Sequence, residues 1–267
     1  MKPNIATPIV MCFSGLDPTG GAGIQADIET CLTLGVHCAS IVTSLTVQDT
    51  SNALHSESVN PTTIIAQARA VLEDIPVNVF KVGLITSSAI IQALHTLFTD
   101  YPDIPVVVDP VLAAGGGYAF QDPQHIDHLR QFLLPHTSLL TPNTHEAKKL
   151  AFEADTLEAC GYELLDLGCE HVLITGTHTD TPHIEHHLFG HNQRLQTYRC
   201  ERLAGQYHGS GCTLTSAIAC HLAHGLEITS ACREAQAFTH RTLRHAKRVG
   251  MGQLIPHRAA QKHTDSH

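Results

Sequence analysis

Short apolar runs alternate along the chain with longer segments in which apolar residues recur every three or four positions. The runs are typical of buried strands, and the spacing is typical of helices that pack one face against a sheet. The runs predict strands at 9–13, 39–47, 79–85, 105–109, 138–141 and 171–175, and a hairpin that pairs 188–189 with 195–198. The spaced segments predict helices at 22–34, 61–72, 88–98, 122–134, 143–152, 155–167, 211–224 and 228–248.

The regular alternation of strand and helix predicts an α/β fold in which helices cover both faces of a mostly parallel sheet. No internal repeat or linker-like run divides the chain, so we expect one domain over residues 1–255 and a loose tail over 256–267. Right-handed crossovers place the carboxyl ends of the parallel strands along one edge, where such folds bind ligands. The polar residues that follow these strands are therefore the first candidates for a functional site.

The composition narrows the class of protein. The 267 residues carry a formal net charge of −9, which argues against a general nucleic-acid binder, and the sequence predicts no membrane span. The nine cysteines are scattered singly, and their odd number favours reduced thiols in a cytoplasmic protein. The 21 histidines are densest at His183, His186 and His187. These three alternate across a strand, so we expect a solvated hairpin rather than a zinc site.

Two glycine-rich loops precede predicted helices. The first, SGLDPTGGAGIQAD at residues 14–27, contains the relaxed dinucleotide pattern G-x-G-x-x-A. The pattern does not follow the strand directly, and the next strand carries no acidic residue before Asp49. We therefore interpret this loop as a substrate pocket, with Asp27 one turn into the helix. The chain has no G-x-x-x-x-G-K-[ST] motif, which excludes a P-loop nucleotide site.

The second loop, YHGSGCTLT at residues 207–215, opens an apolar helix. Its consecutive backbone N–H groups can point at one anion, with the helix dipole adding to the attraction. Such a site suits the negative charge that develops during phosphoryl or acyl transfer. We expect the same dipole to lower the pKa of the Cys212 thiol, although a small cysteine that only packs is an equally good interpretation.

Two carboxylates lie at or near other strand ends. Asp109 ends a wholly apolar strand, where a carboxylate needs a partner or a role. Glu146 follows Asn143 by three positions, which is the spacing of an ordinary helix capping box. The functional alternative is that this amide and carboxylate lie near a metal-bound phosphate.

Four stretches occur in order through almost the whole chain: SGLDPTGGAGIQADIET, VVVDPVL, LLTPNTHEAKKL and HGSGCTLTSAIA. Together they resemble the ribokinase-like superfamily and, within it, the hydroxymethylpyrimidine/phosphomethylpyrimidine kinases of thiamine biosynthesis. The resemblance implies a three-layer α/β/α sandwich that uses ATP and Mg²⁺. It implies phosphorylation of a hydroxymethylpyrimidine and then of its monophosphate, by a cytoplasmic homodimer.

The resemblance also assigns roles by motif position. The anion hole that it implies consists of Gly209, Ser210, Gly211 and Cys212, with Cys212 at the position of the base. The implied pyrimidine-binding residues are Gly15, Asp27, Gln48 and Leu84. The implied ATP-binding residues are Asp109, Asn143, Glu146 and Thr175, of which Asp109 and Glu146 would hold Mg²⁺, mostly through water.

The chain departs from the family pattern at two lysines. The first lysine is usual after the strand at 171–175, and this chain has Thr175 in its place. The second lysine is usual in the segment 114–117, which here reads AGGG. Both lysines would hold charge on the transferring phosphate, so their absence puts full activity, and the second phosphorylation above all, in question. The alternatives are a pyridoxal-type kinase, a pyrimidine-binding pseudokinase, or a transferase with Cys212 as nucleophile beside His208.

Overall fold

The computed structural model describes residues 7–113, 124–176 and 182–259, and over these residues one sheet runs through the molecule. Its strands in chain order are β1 (Ile9–Leu16), β2 (His37–Gln48), β3 (Ala53–Ser58), β4 (Val79–Val82), β5 (Val106–Val108), β6 (Leu139–Leu140), β7 (His171–Thr175), β8 (His183–Gly190) and β9 (Gln193–Glu201). Across the sheet they lie in the order β3-β2-β1-β4-β5-β6-β7-β8-β9.

The centre of the sheet is parallel and its two sides are antiparallel. Strands β2, β1, β4, β5, β6 and β7 pair in parallel. Strand β3 pairs antiparallel with β2 at one side, and the hairpin of β8 and β9 continues antiparallel from β7 at the other. The carboxyl ends of the six parallel strands therefore meet along one edge.

Helices cover both faces of the sheet. They are α1 (Gly23–Thr33), α2 (Pro61–Asp74), α3 (Ser88–Asp100), α4 (His125–His128), α5 (Thr144–Leu150), α6 (Leu157–Asp166), α7 (Ser210–Ala223) and α8 (Ile228–Arg244). A wider turn over Leu129–Leu133 and a tighter one over Leu134–His136 extend α4.

The alternation of side chains along β1 divides the core into two halves. Met11 and Phe13 belong to a buried cluster with residues of α2, α3 and α6, whereas Val10 and Cys12 belong to one with residues of α1, α7 and α8. Because successive strand residues point to opposite faces, one apolar strand serves both layers of helices. The three-layer α/β/α sandwich implied by the sequence is confirmed.

The predicted strands are confirmed, and most predicted helices agree with the structure to within a few residues. Strand β3 was not predicted, because its residues are mostly polar and exposed at the edge of the sheet. The predicted hairpin is confirmed and is longer than its apolar core. Part of the helix predicted at 122–134 lies outside the described residues, and α8 ends at Arg244 rather than at residue 248.

The loose tail predicted over 256–267 is wrong for its first four residues. Residues 256–259 are described, and the side chain of Arg258 is fully buried; the rest of the predicted tail lies outside the described residues. Among the helices that the structure describes, none combines the length and the apolar character that a bilayer crossing requires.

Candidate active site

A cavity of about 650 Å³ opens at the carboxyl edge of the sheet. All but one of the residues predicted for the site lie on its wall, the exception being Asp27. The predicted residues that line it are Gly15, Gln48, Leu84, Asp109, Asn143, Glu146, Thr175, Gly209, Ser210, Gly211 and Cys212. Residues from opposite ends of the sequence are therefore brought together at the edge where parallel strands end.

The second glycine loop forms the amino terminus of α7, as predicted. Gly209 caps the helix with φ of 81°, and a Cβ atom there would lie 1.9 Å from the carbonyl oxygen of Gly21. Only glycine fits this left-handed position and this close approach. The N–H groups of the first turn, at Ser210, Gly211 and Cys212, have no carbonyl partner within the helix. Such N–H groups at a helix terminus favour an anion as their partner.

Cys212 and Asp109 are neighbours on the cavity wall beside this helix terminus. Each of the two groups shifts the pKa of the other. Removal from solvent raises the pKa of the Cys212 thiol to about 12, against the opposing charge of Lys81 and an N–H bond from Gly23. The prediction of a lowered thiol pKa is therefore wrong, because the loss of hydration outweighs the helix dipole. Burial likewise raises the pKa of Asp109 to about 6, although Lys81 and the thiol lower it.

Glu146 serves both as a capping residue and as a buried carboxylate of the cavity. Its Oε2 accepts from the N–H of Asn143 at 2.9 Å, while the Asn143 side chain accepts from the N–H of Glu146 at 3.0 Å. The predicted capping box is confirmed. Burial and the nearby Asp109 raise the pKa of Glu146 to about 8. Two carboxylates that resist ionisation together form a site that favours a bound cation.

Gly15, Gln48 and Leu84 form the opposite end of the cavity. A Cβ on Gly15 would lie 2.8 Å from the Ser44 hydroxyl oxygen and 3.0 Å from Leu84, so the glycine keeps this wall open. The Gln48 amide donates to the Thr46 hydroxyl at 2.7 Å, which fixes its orientation. An apolar side chain beside an oriented amide suits a flat ring with polar edges.

Asp27 lies beneath the cavity instead of in it. The side chain has no exposed surface and forms an ion pair with the equally buried Lys81 at 2.8 Å. Its two oxygens also accept from the hydroxyls of Ser14 and Ser216, each at 2.5 Å. The predicted contact with substrate is therefore corrected, because every polar partner of Asp27 is internal. A lone lysine in the apolar strand Val79–Val82 was the signal that could have identified this pair.

Asp17, which was not among the predicted site residues, holds the two glycine loops together. Its carboxylate accepts from the N–H groups of Thr19 and Ala22, each at 2.8 Å, and from the Nε2 of His208 at 2.9 Å. Burial raises the pKa of Asp17, but the hydrogen bonds from His208 and Thr19 outweigh this and lower it. Because His208 directly precedes Gly209, this pair fixes the first glycine loop against the anion site.

Arg258 ties the same loop to α7 from the far end of the chain. Its Nε donates to the Thr213 hydroxyl at 2.9 Å, and its terminal nitrogens donate to the carbonyls of Gly20 and Gly21 and to Glu29. No sequence pattern marks Arg258, since it lies in a polar segment without periodicity. A buried guanidinium with partners on both loops braces the floor of the site.

Thr175 occupies the place of the first missing lysine. It is buried, and its N–H donates to the Pro142 carbonyl at 2.9 Å, so it lies beside the ATP-binding residues that the resemblance implies. The second position, at 114–117, lies outside the described residues. On the part of the cavity wall that the structure describes, Arg202 is the one lysine or arginine.

His186 is buried and faces the cavity, which corrects the prediction of a wholly solvated histidine hairpin. Its neighbours His183 and His187 are exposed and partly exposed, as a solvated face requires. Burial lowers the pKa of His186 to about 4, so the ring is neutral at pH 7.

The comparisons with known proteins find relatives over almost the whole chain. A family model described as phosphomethylpyrimidine kinase matches residues 17–257. The chain is 34% identical over 254 residues to a hydroxymethylpyrimidine/phosphomethylpyrimidine kinase from Synechococcus elongatus, a match that covers 93% of this chain and 96% of the relative.

Two solved structures are similar over most of their length. Phosphomethylpyrimidine kinase from Clostridium difficile 630 matches with a TM-score of 0.76 at 32% identity, over 89% of this chain and 99% of its own. An ADP complex of Bacillus subtilis pyridoxal kinase matches with a TM-score of 0.85 at 25% identity, over 95% and 98%. The chain belongs to the phosphomethylpyrimidine kinase family.

Proposed function

We propose that the protein transfers the γ-phosphoryl group of ATP to the hydroxymethyl oxygen of 4-amino-5-hydroxymethyl-2-methylpyrimidine, and then to the phosphate of the monophosphate, in thiamine biosynthesis. One observation carries the proposal: the first-turn N–H groups of α7, the Cys212 thiol and the Asp109 carboxylate meet on one wall of the cavity. The family match supports the choice of substrate class. Gln48, Leu84 and the open surface at Gly15 would bind the pyrimidine ring.

Proton removal needs two residues in this site. As the hydroxymethyl oxygen bonds to the γ-phosphorus and the bond from that phosphorus to ADP breaks, the hydroxyl proton must leave. A thiol with a pKa of about 12 is neutral at pH 7, so Cys212 does not act as a preformed thiolate. The sulfur can take the proton while its own proton passes to Asp109, whose pKa is about 6. In a loose phosphoryl transfer this contribution is smaller than that of positioning.

The charge of the transferring phosphoryl group falls on the amino terminus of α7. Backbone N–H groups that are already oriented stabilise this charge without reorganisation. Arg202 is the cationic side chain on the described wall that can add to them. Thr175 offers a hydroxyl where the family usually has a lysine, so the backbone carries a larger share of the phosphate charge in this chain.

The residues present fit a magnesium ion that is bound with ATP. Asp109 and Glu146 supply the hard carboxylate oxygens that Mg²⁺ prefers, and a bound cation would offset the burial that raises the pKa of both. Asn143 would hold the phosphates beside them. When bound, the ion would neutralise charge on the phosphates of ATP.

A pyridoxal-type kinase is the second candidate. The observation in its favour is the TM-score of 0.85 with the Bacillus subtilis pyridoxal kinase, above the value of 0.76 for the Clostridium difficile pyrimidine kinase. A pyridoxal-type ring also carries a hydroxymethyl group that could accept the phosphoryl group. A competition assay with both compounds therefore has to decide between the two rings.

Product analysis tests the proposal. The protein is incubated with Mg-ATP and equal amounts of the hydroxymethylpyrimidine and pyridoxal, and each phosphorylated product is quantified over time. We expect pyrimidine phosphate to dominate, followed by the diphosphate. Pyridoxal phosphate without pyrimidine phosphate would establish the second candidate. Calorimetric binding of the pyrimidine without ATP consumption at any Mg²⁺ concentration would establish a pseudokinase.

We also propose a cytoplasmic homodimer. The free cysteines support a location in the reducing cytoplasm. The edge hairpin of β2 and β3 exposes Leu45, Val47 and Leu54, an apolar surface at a sheet edge that a second copy would cover. Analytical ultracentrifugation of the wild type should give twice the mass of the chain. The Val47→Glu variant should sediment with the mass of a single chain. The matched change Leu32→Glu, at an exposed leucine of α1, should leave the dimer intact; a monomeric wild-type protein would refute this.

A further inference from the structure

Three cysteine sulfurs converge on the far side of β1 from the larger core cluster. They belong to Cys12 on β1, Cys31 on α1 and Cys38 on β2, and all three Sγ atoms lie within 4.8 Å of one another. Within residues 7–113, 124–176 and 182–259, this is the one group of three or more His, Cys, Asp or Glu side chains whose ligand atoms come so close. A fourth thiol, Cys220 on α7, contacts Cys31 at 3.5 Å between sulfurs.

The fold itself brings these residues together. Cys12 lies on the face of β1 that α1 and α7 cover, and β2 pairs with β1 so that Cys38 lies opposite Val10. Each thiol comes from a different element, and each of these elements belongs to the rigid centre of the sandwich. Such a site needs little reorganisation to bind a ligand.

The cluster has the chemistry of a soft-metal site. Metal–sulfur bonds of about 2.3 Å place the sulfurs of a three-thiolate site about 4.0 Å apart, so the observed cluster closes with shifts below about 1 Å. Thiolates select Cu(I) and Zn²⁺ over hard ions such as Mg²⁺. Cys12 and Cys31 are buried, whereas Cys38 is partly exposed and gives an entry path.

We propose that Cys12, Cys31 and Cys38 form a three-thiolate site for one soft d¹⁰ cation, such as Cu(I) or Zn²⁺, with Cys220 as an adjacent fourth sulfur. Binding replaces the thiol protons by the metal and involves no oxidation. The buried Lys81 ammonium lies near enough to influence the charge of Cys38 and offsets part of the excess negative charge of three thiolates.

The site would lie directly below the polar network of Asp27. Cys31 follows Asp27 by one turn of α1, Cys220 follows Ser216 by one turn of α7, and Cys12 precedes Ser14 by two residues of β1. The metal would therefore lie among α1, α7 and β1, the elements that carry Asp27, Ser216 and Ser14 and that meet below the amino terminus of α7. We expect the loaded protein to melt at a higher temperature than the metal-free protein.

Cadmium titration tests the proposal, because the many histidines of the chain can also bind zinc and the readout must report sulfur. The full chain, reduced with a phosphine and desalted under argon, is titrated with Cd²⁺ alone while the ultraviolet sulfur-to-metal charge-transfer absorption is recorded. We expect a band that saturates at one equivalent and a higher melting temperature. A band that needs several equivalents, or no band, would overturn the proposal.

Serine variants locate the site. Cys38→Ser changes the partly exposed ligand and Cys31→Ser a buried one, while Cys200→Ser is the matched control, since Cys200 is partly exposed and lies outside the cluster. Removing a ligand should lower Cd²⁺ affinity by more than about tenfold, because even supporting groups account for about 10- to 100-fold. The control should leave affinity and band unchanged.

Competition with a chromophoric Cu(I) chelator under argon then checks a physiological ion. Retention of Cu(I) by the wild type and its loss in Cys38→Ser support the site, provided that circular dichroism shows both proteins folded. A band that persists in both cluster variants, or disappears in Cys200→Ser, would place the metal elsewhere and refute the proposal.

Discussion

The buried ion pair beneath the active site makes the sharpest test of the structure. Lys81 and Asp27 have no exposed side-chain surface, and the Lys81 Nζ lies 2.8 and 3.1 Å from the two carboxylate oxygens. Burial by itself would lower the pKa of Lys81, but the charge of Asp27 raises it well above its usual value, so the amine is charged. Lys81→Met removes this cation and leaves the Asp27 carboxylate buried without one.

The expected cost follows from the complete burial of both groups. Removing one partner of a buried pair costs about 3–5 kcal/mol, whereas removing both charges is close to neutral. Lys81→Met should therefore lose about 3–5 kcal/mol of unfolding free energy, a large part of the roughly 5–15 kcal/mol that a domain has. Ser14 and Ser216 donate to different oxygens of Asp27. In the double variant with Asp27→Asn, the amide oxygen can accept from one of these hydroxyls and the amide nitrogen can donate to the other. This variant should recover about 2–3 kcal/mol.

Equilibrium urea unfolding at pH 7 measures all of these values. The control is Lys148→Met, at an exposed lysine of α5, which should change the unfolding free energy by less than about 0.5 kcal/mol. The reasoning is refuted if Lys81→Met costs less than about 1 kcal/mol, or if the double variant loses the sum of the two single changes. Either result would mean that water or rearrangement neutralises the buried charge.

Three further predictions concern the site and its supports. Cys212→Ala should leave ATP binding intact and lower kcat by about 10²- to 10⁴-fold, while Cys169→Ala, at a cysteine away from the cavity wall, should leave kcat unchanged; unchanged turnover of Cys212→Ala would show that the thiol only packs. Arg258→Met should lower the free energy of unfolding in urea by about 2–3 kcal/mol and should also lower kcat/KM. Arg258→Lys should have intermediate effects on both quantities. An unaffected kcat/KM in Arg258→Met would show that this residue does not support the site. Because burial lowers the pKa of His186 to about 4, its neutral ring contributes stability above pH 6.5 that is lost as the pH falls towards 4. His186→Gln should therefore remove up to about 3 kcal/mol of the acid-induced loss, and His183→Gln should remove none; equal pH profiles of wild type and His186→Gln would contradict the assignment.

The general position of the site follows from the sequence because parallel strands align their carboxyl ends. Asp109, Asn143 and Thr175 each lie at or just beyond the end of a recognisable apolar strand, so the alternation of elements alone places them at one edge. The anion site at Gly209 follows in the same way from a glycine loop before a helix. These features depend on local pattern, which the sequence carries in full.

The corrected features depend on contacts between distant segments. Whether Asp27 faces a ligand or the core is decided by Lys81, which is 54 residues away, and by Ser216, which is 189 residues away. The raised pKa of the Cys212 thiol likewise follows from burial that local sequence does not encode. Arg258 has partners 237 and 238 residues away and no periodic pattern around it. Local pattern locates the active site, but the protonation states within it are properties of the assembled core.

The protonation states also explain why the site can work with few cationic side chains. With the Cys212 thiol neutral and the pKa of Glu146 raised to about 8, the cavity carries less negative charge before ATP binds than its acidic residues suggest. The helix terminus at Gly209 then acts on phosphate without strong opposition. Because Arg202 is the one lysine or arginine on the described cavity wall, the backbone dipoles would carry a large share of the phosphate charge. The Asp17–His208 contact and the Arg258 brace hold those dipoles in place, so the fixed geometry of the glycine loops carries the electrostatic function.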